Sequence, residues 1–155
     1  MRTFRASEKY RGLIEKLTQS NHSVAGRSIF PTMRDLLCFA AVLGFEYERQ
    51  AELAGKSFEI VDGRVFSNSQ QAIDLLYLVS LASSKDSEIL RDENEEKMID
   101  IFERYAHGGF EIIDGWLNEK PEDLNGDRAI LAALSKNKFL DAPRNSEDAS
   151  RDVSF

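Results

Sequence analysis

A single cysteine, Cys38, occurs in the 155 residues, which excludes an internal disulfide and a zinc site built on several thiolates. Histidine is nearly as scarce: His22 and His107 lie far apart, and neither belongs to a paired-histidine metal motif. No Gly-rich phosphate loop, Walker lysine motif or nucleophile elbow is present, so no cofactor is implied and no catalytic motif identifies an enzyme. No apolar run approaches the roughly 18 residues needed to cross a bilayer. The opening Met1-Arg-Thr-Phe-Arg leads into charged residues, so no secretory leader is expected. These absences together predict a cytoplasmic protein with no membrane partner.

What remains is an ordinary soluble composition, 42% hydrophobic and 30% charged. A chain of this length buries roughly 70% of the surface it exposes when unfolded, enough for one domain with a real core. The expected organisation is a single helical domain over residues 1–140 and a flexible polar tail over 141–155, with no internal repeat and no long linker.

Charge is unevenly distributed. The net charge is -7, yet residues 1–34 carry seven basic residues against two acidic ones, and the rest of the chain carries 13 against 25. A basic head on an acidic body has three uses: touching phosphate, docking on an acidic partner, or docking on its own body. The candidate phosphate or partner contacts are Arg2, Arg5, Lys9, Lys16 and Arg34. Arg34 falls in the first turn of an apolar helix, where a cation opposes the helix dipole and needs a partner. Asp35 or Glu103 would supply one, and a phosphate at the helix N-terminus is the functional alternative.

The apolar spacing predicts a mainly α fold of about six helices. Tyr10, Leu13, Ile14 and Leu17 form one stripe in a helix over 7–20, followed by a loop over 21–28. Thr32 and Asp35 have capping-box spacing at the start of a nearly all-apolar helix running to Gly44, with Phe30 placed to staple onto Leu36. Phe58 to Phe66 has β-rich arms around Asp62-Gly63 and reads as a small hairpin. Asn68 or Ser69 caps the next helix, through Ser80. A charged helical region, Ser87–His107, is broken near Asp92–Asn94 and ended by Gly108-Gly109 as a C-cap. Short helices over Phe110–Lys120 and Asp127–Asn137 complete the domain. Leu36, Phe39, Phe102 and Trp116 are the expected shared core.

Three groups invite a chemical reading. Cys38 sits between Leu37 and Phe39 in the most apolar helix, so an inert buried thiol is favoured over a nucleophile. Asp92, Glu96 and Asp100 are spaced four apart, with Glu103 three beyond, a ladder able to bind a hard cation or to supply an acid and a base. Two i,i+4 pairs on the same helix, Glu93–Lys97 and Asp100–Arg104, favour a solvated face instead. His107 is placed at a helix C-terminus, where the dipole suits a histidine.

Two segments carry a resemblance. One is Phe30-Pro-Thr-Met-Arg-Asp-Leu-Leu-Cys-Phe-Ala-Ala-Val-Leu-Gly-Phe45; the other is Ile101-Phe-Glu-Arg-Tyr-Ala-His-Gly-Gly-Phe-Glu-Ile-Ile113. Together they resemble the small bacterial family of DNA phosphorothioation-associated (Dnd system-associated) protein 4, over roughly residues 5–135. The family pattern is a Lys/Arg-Asp helix ending in Phe-Ala-Ala-x-x-Gly, then Phe-Glu-x-Tyr-Ala-x-Gly-Gly. Its usual residue after Tyr-Ala is Asn, where this chain has His107. These are packing and capping motifs and bring no catalytic residues with them. The resemblance implies a defence island in which DNA is modified with sulfur and unmodified DNA is attacked. The partners it implies are proteins of that modification–restriction complex, with any DNA contact weak or indirect.

The leading expectation is therefore a non-enzymatic accessory protein of such a system. The alternative is a DNA-binding regulator that uses the basic N-terminal region, with the 58–66 hairpin as a wing. A third class is a nuclease acting through the Asp92–Glu103 carboxylates.

Overall fold

The computed structural model describes residues 1–19, 28–122 and 126–136. In chain order they form β1 (Phe4–Ser7), α1 (Arg11–Gln19), α2 (Met33–Glu46), β2 (Ser57–Val61), α3 (Gly63–Ser67), α4 (Gln70–Ser84), α5 (Glu95–Glu119) and α6 (Asp127–Lys136). Short 3-10 turns occupy Glu8–Tyr10, Ser87–Leu90 and Asp92–Asn94. The fold is mainly α, with one two-stranded antiparallel sheet. The expected loop over 21–28 and the tail over 141–155 fall largely or wholly outside the described residues.

The helix starts follow from their caps. Thr32 accepts the Asp35 N–H at 3.1 Å and opens α2. Phe30, just ahead of it, packs its ring against Phe39, with centroids 5.2 Å apart. Ser69 accepts the Ala72 N–H at 3.2 Å and opens α4. At the other end of α4, Lys85 takes the left-handed conformation and closes the last turn.

The expected 58–66 hairpin does not form. Its first arm is β2, but the Asp62 side chain accepts the Arg64 N–H at 2.8 Å and starts α3. Asp-Gly suits a turn and an N-cap equally well, and here the cap wins. The partner of β2 is β1, with Phe4 opposite Val61, Ser7 opposite Ser57, and a register shift between Phe4 and Arg5. The helix expected over 7–20 accordingly starts later, at Arg11, because the residues before it are drawn into the sheet and a 3-10 turn.

A second correction concerns Gly108-Gly109. These residues do not end a helix; α5 runs through them for 25 residues and absorbs the helix expected at Phe110–Lys120. The reason lies in α2. A Cβ on Gly109 would collide with the Ala40 carbonyl, one on Gly44 with the Tyr105 carbonyl, and one on Gly108 with the Arg49 carbonyl. The pairs 40/109 and 44/105 step by four residues in opposite directions, so α2 and α5 run antiparallel in backbone contact. Glycine is required there by proximity, which overrides its poor helix propensity.

Around this crossing the core closes on three phenylalanines. The rings of Phe4, Phe66 and Phe102 lie 4.3, 5.7 and 5.9 Å apart, all wholly buried. Leu36 is buried with them, as expected, whereas Phe39 and Trp116 are only half-buried. Phe39 faces the Phe30 side of α2, and Trp116 lines a cleft toward α6.

Candidate functional site

A two-stranded sheet leaves each strand with one unpaired edge, and buried backbone groups on such an edge need partners. On β1 the Arg5 and Ser7 N–H groups point away from β2. The Glu103 carboxylate accepts the first at 2.6 Å, and His107 Nε2 accepts the second at 3.2 Å. Both side chains come from α5. Four helical residues advance about 6 Å, and two strand residues about 6.8 Å. Side chains four apart on a helix therefore match alternate N–H groups of a strand laid alongside it, and α5 stands in for a third strand.

The hydrogen bonds fix the state of His107. A backbone N–H can only donate, so Nε2 is the unprotonated acceptor. Nδ1 then carries the proton and donates to the Glu103 carbonyl at 2.7 Å. The ring is 1% exposed and lies between Tyr10 and Phe110, with centroids 6.1 and 6.0 Å away. Burial lowers its pKa below the usual histidine range, against the opposing pull of Glu103. The histidine expected at a helix end is thus a buried mid-helix residue, because α5 does not stop at the glycines.

Glu103 has a second partner. Arg2 reaches it at 2.6 Å and reaches Asp100 at 2.5 Å. Burial lowers the Arg2 pKa, but the hydrogen bonds and charges of Glu103 and Asp100 outweigh it and raise the pKa overall. The carboxylate ladder is therefore divided. Asp92 sits in the 3-10 turn ahead of α5 and out of phase with the rest, Glu96 is exposed, and Asp100 and Glu103 clamp the N-terminal strand. The expected Asp100–Arg104 pair is replaced: Asp100 takes Arg2, and Arg104 donates to Gln50 at 3.1 Å. Among the described residues no group of three or more His, Cys, Asp and Glu side chains is placed to hold a metal ion.

The other basic candidates also lie against the chain itself. Arg5 donates to the Ser57 hydroxyl and carbonyl at 2.9 and 3.1 Å, with Glu59 at 3.9 Å. Lys9 is exposed and lies 5.0 Å from the Tyr10 ring centroid. Lys16 is half-buried on α1. Arg34 pairs with neither Asp35 nor Glu103; it donates to the Val65 carbonyl at 2.7 Å. The last carbonyls of a short helix such as α3 lack intrahelical partners, which makes them acceptors for a nearby guanidinium. Cys38 is buried in α2, and burial together with the Asp35 charge pushes its thiol up to about 12, the behaviour of an inert thiol.

The clamp makes a stability prediction. Glu103→Ala removes the acceptor of the Arg5 N–H and the better buried of the two carboxylates on Arg2. The expected loss is about 2 kcal/mol in denaturant unfolding. Glu103→Gln keeps an acceptor for Arg5 and should lose about half as much. Equal losses below about 0.5 kcal/mol in both variants would show that the clamp does not hold the strand.

A cleft of about 560 Å³ lies between α5 and α6, lined by Arg49, Glu111, Trp116, Lys120 and Lys136. Arg49 and Glu111 pair across it at 3.1 Å. Neither this cleft nor the pairing of Glu103 and His107 with the β1 edge is marked by any motif in the sequence. The one available signal for the clamp was an acceptor pair at i and i+4 on α5, and nothing marked residues 4–7 as its target.

A family model described as DNA sulphur modification system-associated protein 4 matches residues 3–152. The chain matches no curated protein and no solved structure.

Proposed function

The chain belongs to the family of DNA sulphur modification system-associated protein 4, and on that premise we propose that it is a non-enzymatic accessory protein of a bacterial DNA phosphorothioation system. It acts in the cytoplasm by contacting proteins of the modification–restriction complex rather than by holding DNA itself. One observation carries this reading: the basic head is engaged by the chain's own body. Arg2 is held by Asp100 and Glu103 and Arg5 by Ser57 and Glu59, all in the body, while Arg11 is paired within the head, with Glu8. Non-specific DNA binding needs several phosphates neutralised at once, and these cations already have acidic partners. Of the five candidate contacts, the exposed Lys9 is the best placed to meet an external group. The buried, neutral Cys38 agrees with a role that needs no nucleophile.

The regulator alternative relied on a hairpin wing at 58–66, and that segment is a strand followed by a helix. It becomes an outcome of the test. Fluorescence anisotropy with a 30-base-pair duplex should show no binding tighter than about 10 μM at 150 mM salt, the range of weak non-specific affinity. In parallel, the purified modification proteins of the same system should include one that co-elutes with the chain. Sub-micromolar duplex binding at that salt, lost on charge reversal at Lys9 and Lys16, would replace this reading with the regulator.

A further inference from the structure

We propose that His107 is a proton-operated latch on the C-terminal end of β1, holding the Ser7 edge closed when neutral and releasing it when a proton occupies Nε2. The geometry admits no intermediate. Nδ1–H is already committed to the Glu103 carbonyl, so an added proton must go on Nε2. That proton would point at the Ser7 N–H, and two donors cannot share the contact. The ring is 1% exposed and packed against Tyr10 and Phe110, and turning it into the small cavity beside it would break the Nδ1–H bond to the Glu103 carbonyl. The strand end, four residues from the start of α1, is the element that gives way, and its opening also releases the Ser7 hydroxyl from the Ala54 carbonyl and the Glu8 N–H from the Lys56 carbonyl. Phe4 anchors the other end in the phenylalanine cluster, so opening at Ser7 need not detach the whole strand.

The surrounding charges set the direction. On α5, Glu103 and Glu111 favour the imidazolium; on the turn after β1, Lys9 opposes it, and Tyr10 stays neutral, its phenol pushed up to about 12 mainly by burial. Asp100, Arg104 and, from the segment after α2, Glu52 line the small cavity beside the ring. Burial outweighs the carboxylates, and the folded-state pKa falls below the ordinary 6.5. A histidine depressed in the closed state leaves the latch fully closed above that ordinary value. As the pH falls below it, the open state binds the proton first. Opening then gains about tenfold per pH unit until the closed-state pKa is reached.

Hydrogen exchange on the full-length chain between pH 8 and pH 5 tests this. After correction for intrinsic exchange, the Ser7 amide should lose protection by about tenfold per unit below pH 6.5, while amides of α2 and the centre of α5 keep theirs. His107→Gln, whose Oε1 accepts the same N–H without titrating, should show a flat Ser7 profile. Nitrogen chemical shifts of the wild-type ring give a second readout that needs no variant: Nε2 should gain its proton over the interval in which Ser7 loses protection. Constant Ser7 protection down to pH 5 overturns the latch. So does the same loss in the glutamine variant, loss only together with the α2 and α5 amides, or ring protonation at a pH where Ser7 is unaffected.

Discussion

Alanine in place of Gly109 should destabilise the chain by about 3 kcal/mol, the upper part of the range for overpacked sites. The added methyl would meet the Ala40 backbone carbonyl, and backbone cannot rotate away as a side-chain tip can. The two helices must separate or bend, and the contacts on both sides of the crossing loosen together. Gly44 presses on the Tyr105 carbonyl one turn away, so the strain is not relieved by a small slide of α5 along α2. Gly115, on the same helix, is the control. Its Cβ position faces open space, and alanine there removes only the entropic cost of glycine in a helix. Gly115→Ala should therefore stabilise by about 0.5–1 kcal/mol. Opposite signs for one substitution on one helix would establish that backbone contact, not propensity, sets the requirement at Gly109. If both variants behave alike in urea unfolding, the close crossing is wrong.

The two segments that carry the family resemblance turn out to be the two halves of this crossing. Phe39-Ala-Ala-x-x-Gly44 supplies the α2 side, and Tyr105-Ala-His-Gly-Gly109 the α5 side. Their small residues read as caps because glycine is most often a helix terminator in isolation. The crossing is a tertiary fact, set by residues more than 60 positions apart, and no local pattern contains it. Elements decided locally were legible for the converse reason. Thr32 and Ser69 announce α2 and α4 through hydrogen bonds reaching three residues ahead, and the stripes of α1 and α5 follow from helical period alone.

The candidate site was legible in its parts and not in its arrangement. Arg2, Arg5, Asp100, Glu103 and His107 each stood out as a charged or titratable residue in the sequence. Their pairing depends on β1, a four-residue strand whose partner begins 50 residues later at Ser57. Phe4, Arg5, Ala6 and Ser7 do alternate apolar and polar, but four residues with one aromatic and no β-branched side chain are too short a signal to stand out as a strand. Asp62-Gly63 supplied a tempting local partner for β2 and hid the true one. The charge asymmetry left phosphate, an acidic partner and the chain's own body as alternatives, and Arg2 lies against the body, on Asp100 and Glu103.

Phe102→Ala should cost about 3–5 kcal/mol, the range for deleting a fully buried phenylalanine. Phe102 is wholly buried and meets Phe4 at 5.9 Å and Phe66 at 5.7 Å, both edge to face, so truncation leaves a cavity bounded by two rings held from different elements. Phe4 is on β1, Phe66 on α3, and Phe102 on α5 one residue before Glu103. Cavity relaxation would require all three elements to move, and β1 is also tied by Arg2 and by the Arg5 and Ser7 amides. The loss should therefore fall at the high end of the range. A double-mutant cycle with Phe4→Leu isolates the ring–ring part. Each edge-to-face pair contributes about 0.5–1.5 kcal/mol beyond its buried area, so the double variant should lose less than the sum of the singles by that amount. Strict additivity would mean that the rings do not touch. A loss below about 1 kcal/mol for Phe102→Ala alone would place Phe102 at the surface and undo the assignment of β1 to the core.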